Sequence, residues 1–271
     1  MNSIPQGRVL IVAGSDSGGG AGIQADIKSV TAMGGFAMTA VTALTVQNTL
    51  GVSAIHEVPL DIVVGQIRAV LEDLGADTIK TGMLHNANIV EAVAEELSRD
   101  EELLPLVVDP VMVAKGGTSL LEDSAVAAIR ELLVPMAAVV TPNVPEAEVL
   151  TGRKIVDVEG QKAAADALLG LGAEAVLLKG GHLSGDMIFD VLATREAMQI
   201  FSSPRIETRH THGTGCTLAS AIAALIAQGA DVTAAVAAAR DYVHEAIRTA
   251  PGFGRGHGPL NFLAAFDEDE D

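Results

Sequence analysis

The stretch His210-Thr211-His212-Gly213-Thr214-Gly215-Cys216-Thr217 runs directly into the apolar segment Leu218 to Ala227. Its paired glycines allow positive φ and close approach of backbone to a ligand. The small and apolar residues that follow read as a buried helix starting near Gly215. Unpaired N–H groups and a partial positive charge at such a start form an anion site. No carboxylate occurs between Glu207 and Asp231, although Asp or Glu ordinarily stabilises a helix's first turn. A visiting phosphate would need that turn empty. The structural alternative is a glycine turn entering a core helix.

Other residues invite chemistry with less specificity. Gly20-Ala21-Gly22-Ile23-Gln24-Ala25 fits the loose dinucleotide pattern, but Val30 through His56 contains no acid to hold a ribose. A P-loop motif is absent. The glycine loop therefore suits closing over a small substrate better than cradling a pyrophosphate. Asn143-Val144-Pro145-Glu146 reads equally as a helix cap and as an amide and carboxylate for the water shell of Mg²⁺. Asp109, before Pro110, is a turn former or a metal contact. Lys179 ends an apolar run, so it needs a partner, and a phosphate would supply one. His210 and His212 lack a third metal ligand at convincing spacing. A Cys216–His212 nucleophile pair has no better support, and His257 lies in a glycine-rich loop that borders a pocket or is simply a turn.

The elements that must position these groups alternate. Strands are expected at Arg8–Ala13, Phe36–Gln47, Val52–Val58, Thr78–Lys80, Leu106–Asp109, Ala138–Val140 and Ala175–Lys179, with a hairpin across Ile188–Ala193 and Met198–Phe201. Helices are expected at Ile23–Met33, Asp61–Leu74, Ile89–Leu97, Ser124–Leu133 and Gln161–Leu171, with two alanine-rich helices near the end. This alternation implies α/β architecture, with a mostly parallel sheet covered on both faces. In such sheets ligands sit at the C-terminal strand ends. The polar signatures fall there: Gly14-Ser15-Asp16, Gln47-Asn48, Lys80-Thr81-Gly82, Asp109-Pro110, Thr141-Pro142-Asn143 and Lys179-Gly180-Gly181.

Composition bounds the rest. The chain has 271 residues, 49% hydrophobic and only 3% aromatic, so its core is aliphatic. Its net charge of −18 argues against nucleic acid or an anionic membrane as partner. An anionic substrate then needs local help from amides and a few lysines. One cysteine, Cys216, leaves no intrachain disulfide framework. With no signal-peptide pattern and no apolar helix of about 20 residues, a cytoplasmic protein is expected. Residues 1–266 read as one domain and 267–271 as a disordered acidic tail.

Taken together, Gly14-Ser15-Asp16, Gly19-Gly20-Ala21-Gly22-Ile23-Gln24-Ala25-Asp26, Thr45-Val46-Gln47-Asn48-Thr49 and Lys80-Thr81-Gly82-Met83-Leu84 resemble the hydroxymethylpyrimidine/phosphomethylpyrimidine kinases of thiamine biosynthesis. Asp109-Pro110-Val111-Met112, Thr141 to Glu146, Lys179-Gly180-Gly181-His182 and Thr211 to Thr217 continue the resemblance in order over nearly the whole chain. It implies the ribokinase-like fold, a three-layer α/β/α sandwich with little or no separate lid. It also implies two ATP-dependent phosphorylations, of a hydroxymethyl group and then of the resulting monophosphate, by a homodimer. Ser17-Gly18 departs from the Pro-Ser or Ser-Ser of many members, which alters loop stiffness but removes no polar contact.

Carried over by residue, the resemblance implies that Gln47 hydrogen-bonds the aminopyrimidine, with Gly14, Asp26, Met83 and Val111 lining its pocket. The amides of Gly213, Thr214, Gly215 and Cys216 would form the anion hole. Lys179 would contact ATP phosphates, with Asn143, Thr214 and Gly215 on the cofactor side. Asp109, Asn143 and Glu146 would surround Mg²⁺. Cys216 stands where many of the wider superfamily place an aspartate base, and a helix N-terminus is expected to lower its pKa. The rivals are a pyridoxal or pyridoxine kinase on the same framework, a non-catalytic pyrimidine sensor and a dinucleotide oxidoreductase. Gln47 favours the pyrimidine, because an amide both donates and accepts.

Phosphoryl transfer leans on positioning and charge stabilisation more than on a base. Cys216→Ala should therefore keep measurable activity, while Gly215→Val nearly abolishes it by blocking the amides. Equal losses of steady-state rate in the two folded variants contradict this ordering.

Overall fold

Val9 to Ala13 is an unbroken apolar run, the pattern of a strand buried on both faces, and all five residues are essentially inaccessible. It forms the centre of β1 (Arg8–Ser15) in the computed structural model, which describes residues 4–99, 103–113, 117, 120 and 122–266. The expected acidic tail lies outside the described residues. Further strands are β2 (Phe36–Asn48), β3 (Gly51–Glu57), β4 (Thr78–Thr81), β5 (Leu106–Val108), β6 (Val139–Val140), β7 (Ala175–Leu178), β8 (Met187–Thr194) and β9 (Met198–Pro204). They form one nine-stranded sheet in the order β3-β2-β1-β4-β5-β6-β7-β8-β9. The pairings among β2, β1, β4, β5, β6 and β7 are parallel, and β3, β8 and β9 are antiparallel additions at the two edges.

Helices cover both faces, as the α/β reading requires. On one side α2 (Leu60–Asp73), α3 (Ala87–Leu97), α4 (Asp123–Ala128), α5 (Val144–Thr151) and α6 (Val158–Leu169) pack on Leu10, Ile79, Leu106, Val108 and Val140. On the other, α1 (Gly22–Ala32), α7 (Thr214–Ala227) and α8 (Val232–Arg248) pack on Val9, Ile11, Val107, Val139 and Leu177. The two-residue period of strands carries this division past the strand ends. Lys80, Asp109, Thr141 and Lys179 all fall on the side of α7.

Three differences from the sequence reading appear, the first two with local causes. Helix α5 was legible only as a cap, because eight residues with Val144, Ala147 and Leu150 buried are too few to show a period. The helix expected over Ser124–Leu133 changes hand-hold at Ile129, where Ile129–Leu133 is a π turn followed by a short 3₁₀ turn containing Pro135. The first turn of α7 begins one residue earlier than expected, at Thr214.

Asp190 on β8 ties the sheet edge to both neighbours. Its carboxylate accepts from Arg240 Nε of α8 at 2.8 Å and from the Gly180 amide at 2.8 Å. Arg240 also lies over the Phe201 ring, 5.1 Å from its centre. Removing one partner of a buried pair strands the other charge, at a cost of about 3 kcal/mol. Asp190→Ala should lose that much stability in urea unfolding, and a loss under about 0.5 kcal/mol, the size of an ordinary surface change, contradicts the anchoring role.

Candidate active site

Asp16 stands at the C-terminal end of β1, where the chain must reverse into α1. Its Oδ1 accepts from the Gly18 amide at 2.7 Å, and its Oδ2 accepts from the amides of Gly20 (3.0 Å) and Ala21 (2.9 Å). The glycine-rich loop is thus wound around the protein's own carboxylate. Amides that a pyrophosphate would need are already taken, which removes the dinucleotide reading by geometry. His212 Nε2 donates to Asp16 Oδ2 at 2.9 Å. Burial works against the Asp16 charge, but His212 and the loop amides outweigh it and hold the carboxyl below its ordinary range.

That contact brings the last loop before α7 onto the first loop of the chain. Gly213 has φ of 81°, and a β-carbon there would overlap the Gly20 carbonyl oxygen. Only glycine fits. The turn leaves the amides of Gly213, Gly215 and Cys216 without any acceptor among the described residues, while the Thr217 amide begins the helix by donating to Gly213 O at 2.9 Å. Thr214 Oγ1 closes the turn on Thr211 O at 2.8 Å. All four residues from Gly213 to Cys216 are partly accessible. The arrangement leaves three uncommitted donors, among the described residues, at a helix N-terminus, a geometry suited to an anion.

Charges of alternating sign surround it. Lys179 Nζ donates to Asp109 Oδ1 at 3.1 Å, and a β-carbon on Gly215 would lie 3.1 Å from the same ammonium. Burial lowers the Lys179 pKa, but the charges of Asp109 and Glu146 more than restore it, so the lysine is cationic. Thr141 Oγ1 donates to Asp109 Oδ1 at 3.2 Å, while the buried Asp109 Oδ2 has no partner among the described residues. Asn143 and Glu146 form a reciprocal capping box at the start of α5: Asn143 Oδ1 accepts from the Glu146 amide and Glu146 Oε2 from the Asn143 amide. The cap reading holds, and the cap places Glu146 near Lys179 and Asp109. Burial, aided by Asp109, pushes the Glu146 carboxyl up to about 7.

The expected pyrimidine pocket divides. Gly14 and Met83 adjoin, a β-carbon on Gly14 lying 3.0 Å from Met83 Sδ, and Val111 packs with Met83 and Ala43. The Gln47 amide lies 3.3 Å from His212 Nε2 and 3.1 Å from Thr45 Oγ1. Asp26 does not line a pocket. It has no accessible surface, and its Oδ1 accepts from Lys80 Nζ at 2.8 Å and Ser220 Oγ at 2.7 Å.

The thiol also departs from expectation. Burial pushes Cys216 up to about 12, against the smaller opposing effects of Lys80 and the Gly22 amide. Desolvation of a thiolate here outweighs the nearby ammonium and amide. His212 is committed to Asp16 and forms no hydrogen bond with Cys216 among the described residues. Neither histidine joins a metal cluster there. His257 belongs to a strap whose amide donates to Thr49 O at 2.8 Å, joining the β2–β3 turn to the loop before α7. Asp16, His212 and Lys80 were the groups that sequence reasoning undervalued. Lys80 carried the same signal as Lys179, a cation closing a buried strand.

The model of the family described as phosphomethylpyrimidine kinase matches residues 16–261. The chain is 48% identical over 258 residues to the hydroxymethylpyrimidine/phosphomethylpyrimidine kinase of Bacillus subtilis, covering 95% of each. It is 52% identical over 268 residues to the thiamine biosynthesis bifunctional protein ThiED of Geobacter sulfurreducens, covering 98% of this chain and 54% of that protein, so it spans about half of that relative. Among solved structures, a Bacillus subtilis pyridoxal kinase in complex with ADP aligns with a TM-score of 0.90 at 35% identity, covering 97% of this chain and 100% of that one. A phosphomethylpyrimidine kinase from Clostridium difficile aligns at 0.79 and 40% identity, covering 89% and 99%.

The raised Glu146 pKa has a defined effect on stability. The folded carboxyl binds its proton up to about pH 7, against an ordinary 4.5, so the folded state loses stability as pH rises between those values. Glu146→Gln keeps the cap and removes the titration. In metal-free buffer the variant should gain stability relative to the parent chain from pH 4.5 to pH 7 and hold that gain above it. A difference that stays flat in urea titrations across the range contradicts the burial argument.

Proposed function

The chain belongs to the phosphomethylpyrimidine kinase family, and from that premise we propose that it transfers the γ-phosphoryl group of ATP to 4-amino-5-hydroxymethyl-2-methylpyrimidine and then to the resulting monophosphate. The observation that carries the reading is the turn at residues 213–216, where three amides lack acceptors beside the Lys179 ammonium. Donors fixed in place where charge develops stabilise a transferring phosphoryl group without reorganising. Gln47, reached through His212, is suited to an aminopyrimidine edge, and Gly14, Met83 and Val111 supply an apolar floor. Cys216, neutral at physiological pH, contributes its amide first and its thiol at most as a proton carrier.

The residues present fit a magnesium ion. Asp109 keeps one buried oxygen without a partner, and Glu146 and Asn143 stand at the adjoining strand end. Asp109 and Glu146 would hold the ion through its water shell, with Asn143 beside them, and the ion would neutralise phosphate charge. Lys179 then serves both the Asp109 carboxylate and the nucleotide phosphates. A cytoplasmic homodimer completes the reading. It is supported by the β2–β3 hairpin, which leaves Val46 and Leu50 about 60% exposed, and by the fact that no described helix is long and apolar enough to cross a membrane.

Pyridoxal is the second substrate worth testing, because the fold aligns with a pyridoxal kinase at a TM-score of 0.90. Coupled ADP release with the hydroxymethylpyrimidine, its monophosphate and pyridoxal should show turnover on both pyrimidines, with kcat/KM above that for pyridoxal. A preference for pyridoxal overturns the substrate assignment. Binding of a pyrimidine with no ADP release overturns the kinase reading in favour of a sensor.

A further inference from the structure

Beneath the anion hole lies a second charged layer that the phosphoryl chemistry above does not touch. Lys80 and Asp26 are both completely buried and bond at 2.8 Å. A buried pair of this kind contributes little to stability that apolar residues of similar volume would not. Its place is informative. The Gly22 amide of α1 faces the Cys216 thiol of α7. Four residues further along each helix, Asp26 accepts from Ser220 Oγ at 2.7 Å. The two helices therefore run side by side in register, and the ion pair sits one turn, about 5.4 Å, below the thiol. The Lys80 ammonium reaches toward the strand end, since a β-carbon on Gly82 would meet it at 3.0 Å.

We propose that Lys80 is a positioning residue for phosphoryl transfer: it fixes positive charge behind the first turn of α7, and Asp26 holds it there while limiting its strength. The inference rests on the kinase reading of that turn and extends it inward. The amides of Gly213, Gly215 and Cys216, free among the described residues, face the ligand side, and the same turn is backed by an ammonium that water cannot screen. The charged groups around Cys216 are Asp26 from α1, Lys80 from β4 and Asp109 from β5, with Lys179 and Glu146 beyond Asp109. Of these, Lys80 favours negative charge at the turn, and Asp26 and Asp109 oppose it. Asp26 also keeps Lys80 protonated in spite of burial.

The chain has one cysteine, so alkylation of Cys216 by neutral iodoacetamide, followed by mass spectrometry, reports the potential at the turn without needing turnover. Asp26→Asn removes the opposing charge and should speed alkylation at pH 8 by about tenfold, the effect of one pKa unit. The double variant Asp26→Asn/Lys80→Met removes both charges and should react no faster than the parent chain. Its kcat should fall about tenfold or more, with KM for ATP and for the pyrimidine within about twofold. A structural loosening would instead expose the thiol in both variants. Equal acceleration in both, no acceleration in Asp26→Asn, or a parental kcat in the folded double variant overturns the proposal. If the parent chain itself releases no ADP, the kinase reading fails, and the order of alkylation rates still decides the role of the pair.

Discussion

Gly213 and Gly20 meet backbone to backbone, and the chemistry of the chain depends on that contact. No side chain fits between them at Gly213, where a β-carbon would overlap the Gly20 carbonyl. Asp16 enforces the approach from the other direction. One carboxylate gathers three loop amides and His212, so a group near the start of the sequence fixes a turn almost two hundred residues later. The first loop spends its amides on this internal anion. The last loop, held by it, keeps its amides free. A chain with so large an excess of acid concentrates its attraction for phosphate in one place, because three uncommitted donors and one lysine stand where no carboxylate occupies the first turn.

The sheet supplies the remaining order. Parallel strands end together at one edge, and the alternation of side chains puts Lys80, Asp109, Thr141 and Lys179 in a row beneath α7. Along that row, from Asp26 through Lys80, Asp109 and Lys179 to Glu146, the signs alternate. Each charge is buried beside an opposite one, which is the condition under which buried charge persists. The result is a polar layer set into an aliphatic core, its members held by one another.

Much of this was legible in the chain before its fold was known. Local periodicity placed the strands and most helices, and the polar residues at successive strand ends pointed to one edge. The missing carboxylate pointed to a glycine turn with uncommitted donors, and the structure leaves the amides of Gly213, Gly215 and Cys216 without acceptors among the described residues. What was hidden depended on partners distant in sequence. Asp16 read only as one of several polar residues at strand ends, and its tie to His212 crosses the whole molecule. Asp26 was placed in the pocket lining by the family resemblance, yet helical geometry turns it inward to Lys80. The thiol of Cys216 was expected to ionise more readily at a helix start, whereas burial dominates and raises it. Those outcomes turn on desolvation and long-range pairing, and neither leaves a local pattern.

The central claim is that main-chain donors at residues 213–216 hold the phosphoryl group in flight. A crystal structure with ADP, aluminium fluoride, magnesium and the hydroxymethylpyrimidine tests it most directly. The account predicts fluoride ligands within hydrogen-bond distance of the Gly213, Gly215 and Cys216 amides, with Lys179 alongside and the pyrimidine alcohol in line on the opposite face. A fluoride group bound elsewhere, with that turn facing away from it, would contradict the account.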